Sequence, residues 1–133
     1  MATAKELHQQ GVNAFRKGNL ETALEKLKQA IEVAADDSRE AAEIYNDLGV
    51  VYQKLEDYDA AWEALDKAED RFTALADKKG QAQTLGNRAA VLEAEDELDE
   101  AVEMYKMSAQ MLEEIGEMHE QKSRTTRNVQ SGY

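Results

Sequence analysis

Small and apolar residues along this chain recur at intervals of three and four. Ala23, Leu27 and Ala30 form one such set, Ala61, Leu65 and Ala68 a second, and Ala101, Tyr105 and Ser108 a third. On a helix of 3.6 residues per turn, positions so spaced share one face. The three stretches also superimpose without a gap. "GVNAFRKGNLETALEKLKQA" from Gly11 overlays "GVVYQKLEDYDAAWEALDKA" from Gly49 at a shift of 38. The second overlays "AAVLEAEDELDEAVEMYKMS" from Ala89 at a shift of 40. Small residues coincide at Gly11, Gly49 and Ala89, and larger apolar ones at Leu20, Tyr58 and Leu98 and at Leu27, Leu65 and Tyr105.

Each unit is interrupted once by a polar pair, Gly18-Asn19, Glu56-Asp57 or Asp96-Glu97, which predicts two helices joined by a tight turn. "TAKE" at Thr3–Glu6 and "DSRE" at Asp37–Glu40 have the form of capping boxes and mark two helix starts. The pattern predicts helices over about 3–17, 20–36, 38–55, 58–76, 80–95 and 98–116. The units then span about 4–37, 38–78 and 79–116, with a further helix over about 117–131. A single helical pair cannot bury its apolar face, so the pairs are expected to stack as one domain over 1–133. Glycine and alanine at the repeated columns let neighbouring helix axes approach closely.

This pattern resembles the tetratricopeptide repeat. The second unit carries it best, with Leu48-Gly49, Tyr52, Tyr58, Ala61, Leu65 and Ala68 in order. The first has Ala14 where an aromatic is usual, with Phe15 beside it, and the third has Ala89 for the glycine and Leu92 for the tyrosine. The resemblance implies an all-α fold: a right-handed superhelical array of three helix-turn-helix repeats plus a C-terminal capping helix. It further implies that the first helix of each repeat lines a groove for a peptide or partner protein. The groove residues so assigned are His8, Val12, Phe15, Asn46, Val50, Gln53, Gln83, Asn87 and Ala90. Members that hold acidic C-terminal peptides do so with a Lys, Asn, Asn, Lys and Arg clamp. The matching positions here are His8, Val12, Asp47, Gln83 and Asn87, and Asp47 would repel a carboxylate. A neutral or basic ligand is therefore expected.

Composition narrows the rest. With 42% hydrophobic and 33% charged residues and no proline, the chain suits a water-soluble helical protein. A net charge of −12 argues against nucleic acid, which needs clustered Lys and Arg. No apolar run reaches the roughly 18 residues of a membrane span, and "MATAKELHQQG" lacks the order of a secretory signal, so a cytoplasmic location is expected. Cysteine is absent. His8 and His119 have no second ligand at helical spacing, and the acidic run "EAEDELDEAVE" lacks the glycine and alternation of a calcium loop. The chain is expected to be non-catalytic, without metal or cofactor.

A second feature competes for attention. Met104, Met107, Met111, Ile115 and Met118 fall within about 80° of one another on a helix. Ala101, Tyr105, Ser108 and Leu112 are the core positions expected beside them. Two expectations compete for the methionine stripe: cover by the helix from about 117, or contact with a second copy or another partner. The second would make the protein a self-associating structural one. The tail also carries Lys122, Arg124 and Arg127, suited to an acidic surface of another subunit.

Overall fold

Four of the inter-helix turns are built alike. Asn19, Asp57, Asp77 and Glu97 each donate a backbone N–H to the carbonyl five residues earlier, at 2.8–2.9 Å, which ends the preceding helix in a Schellman turn. The residue before each takes a positive φ: Gly18, Glu56, Ala76 and Asp96. Only Gly18 does so without a steric cost. The next helix then starts at once, and at two of the four sites an aspartate side chain caps it. Asp57 Oδ1 accepts from Ala60 N at 3.3 Å and Asp77 Oδ1 from Gly80 N at 3.0 Å.

These turns separate six helices in a computed structural model that describes the backbone of residues 1–131 and the side chains of residues 1–118. They are α1 (Ala4–Arg16), α2 (Leu20–Val33), α3 (Arg39–Lys54), α4 (Tyr58–Ala74), α5 (Lys78–Ala94) and α6 (Leu98–Ser131). No strand occurs among the described residues. The helices pack as hairpins α1·α2, α3·α4 and α5·α6, stacked through α2·α3 and α4·α5. The six helices expected up to residue 116 are present, and the structure differs from expectation at four points. Ser38, not Asp37, caps α3, its hydroxyl accepting from Ala41 N at 3.0 Å. Helix α2 stops at Val33, short of the expected 36, and α5 starts at Lys78, before the expected 80. No break separates a helix ending near 116 from one over about 117–131, because α6 runs on to Ser131. The basic residues Lys122, Arg124 and Arg127 lie outside the described side chains.

The repeated columns explain the stacking. Ala23, Ala61 and Ala101 are buried, as are Ala30, Ala68 and Ser108. A Cβ on Gly11 would stand 2.8 Å from Leu27, and one on Gly49 2.5 Å from Leu65, so glycine is what lets the paired helices close. The largest core cluster joins Leu7 and Ala14 of α1 to Leu27 of α2 and to Ile44, Leu48 and Val51 of α3. Each fully buried Leu or Ile contributes about 1.5–3 kcal/mol by leaving water. Polar ties then fix the stack. Arg88 of α5 bridges Asp66 and Glu69 of α4 and lies over the Trp62 ring, whose Nε1–H donates to Glu95 at 2.8 Å. The third column fails at one point: Tyr105, expected in the core with Leu112, is exposed, and so is Leu112. Among the described residues, helix α6 packs against α5 alone, which buries the side holding Ala101 and Ser108 and leaves Tyr105 and Leu112 at the rim.

Candidate functional site

The helical repeat sets α1, α3 and α5 side by side, and their shared face holds a cavity of about 460 Å³. Val12, Phe15 and Val50 give it an apolar wall, with Leu27 of α2 and Val51 behind them. Gly11 contributes to the lining, and Asn46, Asp47, Gln83 and Asn87 supply its polar atoms. Six of the nine groove residues expected from the sequence therefore meet here: Val12, Phe15, Asn46, Val50, Gln83 and Asn87. His8 sits at the edge, bonded to Asp47, while Gln53 and Ala90 do not line the cavity. Gly11, Leu27 and Val51 were not among the expected groove residues. The repeat columns marked Gly11 and Leu27 as packing positions, and the same residues form the floor.

The amides do not all face a ligand. Asn46 is buried, and its Oδ1 accepts from Asn87 Nδ2 at 2.8 Å and from Thr84 Oγ1 at 3.3 Å. This pair cross-links α3 to α5 beneath the groove. One of the two Asn87 Nδ2 hydrogens is thereby used, and its Oδ1 retains acceptor capacity. Gln83 is exposed at the cavity wall with its amide at hand.

The acidic side of the groove is organised around His8. Its Nε2 lies 2.6 Å from Asp47 Oδ2, and its Nδ1 lies 3.4 Å from Glu40 Oε1. The hydrogen bond to Asp47 raises the His8 pKa most. Burial opposes this, and the charges of Asp47 and Glu40 add to the rise. The His8 ring hydrogen-bonds Asp47 through Nε2 and, when protonated, forms an ion pair with Glu40 at Nδ1, so it joins α1 to α3. Glu43 beside it is also raised, by burial first and then by the Glu40 charge. Ligand atoms of His8, Glu40 and Glu43 lie within 4.8 Å of one another, so these three side chains are the described residues that could gather round a cation.

The methionine stripe divides. Met104, Met111 and Ile115 are half-buried, whereas Met107 and Met118 are exposed. Ile115 and Met118 flank a shallow recess with Arg39 and the Ala76–Lys79 turn.

No described helix is long and apolar enough to cross a membrane. A family model described as tetratricopeptide repeat matches residues 2–74 and, again, residues 40–114. No curated protein matches the chain.

Proposed function

Because the chain belongs to the tetratricopeptide repeat family, whose repeats mediate protein–protein contacts, we propose that its α1–α3–α5 groove takes up a short segment of a partner protein without catalysis. An apolar side chain of that segment enters the cavity against Val12, Phe15 and Val50. A neighbouring lysine, arginine or other donor meets the acidic side formed by Asp47 and Glu43. Gln83 and the free Asn87 carbonyl serve the segment's backbone. One observation carries this reading: a cavity of about 460 Å³ on the face shared by three helices joins an apolar wall to polar groups that include the Asp47 carboxylate, with Glu43 lining the adjoining recess. An acidic segment would lose Coulomb energy at the same wall, so the preferred partner is neutral or basic.

Selection from a displayed random-peptide library tests this. Enriched sequences should pair an apolar residue with a nearby Lys or Arg. Their affinity should fall at least about tenfold for Val50→Asp and weaken with added salt. Peptides that bind Val50→Asp as tightly as wild type would place the site elsewhere.

A further inference from the structure

We propose that the outer face of α6 is a docking surface for a second copy of this chain, paired antiparallel and tail to tail.

Helix α6 repeats a face that elsewhere in the molecule is always covered. At the shift of 40, Trp62, Leu65 and Phe72 of α4 correspond to Val102, Tyr105 and Leu112 of α6. On α4 that face is roofed by α5: Phe72 packs on Gly80, and Leu65, seated on Gly49 of α3, packs on Val91 as well, leaving Leu65 and Phe72 at 0% and 1% exposure. On α6, Leu98, Val102, Tyr105 and Leu112 stand 54%, 49%, 41% and 44% exposed. The described backbone offers no cover, since α6 continues to Ser131 instead of turning back.

The spacing of the bare face favours its own copy. Leu98, Val102, Tyr105, Ala109, Leu112 and Gly116 follow one another at intervals of 4, 3, 4, 3 and 4, the seam of a helix pair. The seam is also complementary to itself when reversed about the position of Met107. Leu98 then meets the partner's Gly116, Val102 the partner's Leu112, and Tyr105 the partner's Ala109, with large against small in two of the three pairs. Gly116 fits this use. Gly11, Gly49 and Gly80 are each crowded by a Leu or Phe side chain, but a Cβ on Gly116 would meet nothing within 4 Å. The partner's Leu98 fills that space.

The opposite end of the stack has no matching surface. Arg88, Val91 and Glu95 of α5 lie on the side that meets α4, and at a shift of 78 they correspond to Gln10, Asn13 and Lys17 of α1, all exposed and polar. Head-to-tail stacking would bury these amides and this charge against the α6 seam. Two α6 faces make an isologous, closed pair. Six seam positions a side make a contact at or below the lower end of the roughly 1,200–2,000 Å² that stable interfaces bury, so a weak, concentration-dependent dimer is expected.

Sedimentation equilibrium over about 1–200 µM tests the pairing. The wild type should pass from 14.9 kDa toward twice that mass. Val102→Glu with Leu112→Glu should weaken association at least about tenfold, while Val33→Glu, at another exposed apolar position, should leave it unchanged. Helical circular dichroism checks that each variant is folded. Because the chain has no cysteine, orientation can be read by disulfide capture. A mixture of Val102→Cys and Leu112→Cys proteins should form the mixed disulfide in preference to either like pair. A mass of one chain throughout the range, a dimer indifferent to the double glutamate variant, or like pairs dominating the capture would each overturn the proposal.

Discussion

Helices α4 and α6 are the second members of neighbouring repeats, yet they meet different surroundings. Both carry an apolar face at matching positions, and both bury an alanine column against the helix before them. A helix follows α4 and covers its outer face, whereas the outer face of α6 is bare. In an array of this kind each helix is stabilised by its nearest neighbours, so one with a neighbour on a single side receives about half of what a helix between two receives. The residue type is not what makes Phe72 core and Leu112 surface; the presence of α5 is. The first helix resolves the same problem differently, presenting Gln10, Asn13 and Lys17 to solvent where α5 presents Arg88, Val91 and Glu95 to a neighbour.

The sharpest way to break the comparison is to truncate the paired positions. Phe72→Ala empties a fully buried site and should destabilise the fold by about 3–5 kcal/mol, read by urea denaturation. Leu112→Ala, measured in dilute solution, should cost less than about 0.5 kcal/mol. Equal losses at the two sites would mean that α6 is covered in the monomer. Next in size are the glycines. A methyl on Gly80 would collide with the Phe72 ring, and Gly80→Ala should destabilise by about 1–3 kcal/mol. Gly116→Ala meets open space and should instead stabilise the dilute monomer by about 0.5–1 kcal/mol through helix propensity. The opposite signs can be read from one pair of thermal melts.

A smaller effect ties the first repeat to the second. The folded pKa of His8 lies above the ordinary 6.5, so the unfolded chain gives up this proton first as pH rises. The stabilisation is fully present below about pH 6.5 and is lost as the pH climbs through the raised folded-state value. The melting temperature of wild type relative to His8→Gln should therefore narrow from pH 6 to pH 9, with chelator present. A gap that widened with pH would reverse the assignment of the imidazolium. The smallest expected change is at the turn before α5, where Ala76 holds a φ of 53°. Ala76→Gly should relieve that strain and stabilise by about 0.5–1 kcal/mol.

Much of the stack was legible in the sequence because packing leaves columns. Ala23, Ala61 and Ala101, and Gly11 and Gly49, mark close approaches that only small residues permit, and the overlay at 38 and 40 residues exposes them. The start of α5 was harder to read, since this helix is buried against α3, α4 and α6 at once and its small and polar residues show no single apolar stripe. The groove was legible by position, as six of its residues lie on the expected face. How the amides are used was not, because the bond from Asn87 to Asn46 depends on the distance between two helices. The fate of Tyr105 and Leu112 was also beyond the periodic pattern. That pattern is the same on α4 and α6, and burial is decided by whether a further helix arrives.

Amide hydrogen exchange compared at low and high protein concentration tests most directly whether a covered neighbour is what separates these two helices. Amides around Leu65–Phe72 should exchange at the slow rate of global unfolding at both concentrations, while those around Tyr105–Leu112 should be faster in dilute solution and slow down as the chains pair. Protection in α6 that equals α4 at high dilution, or that ignores concentration, would contradict it.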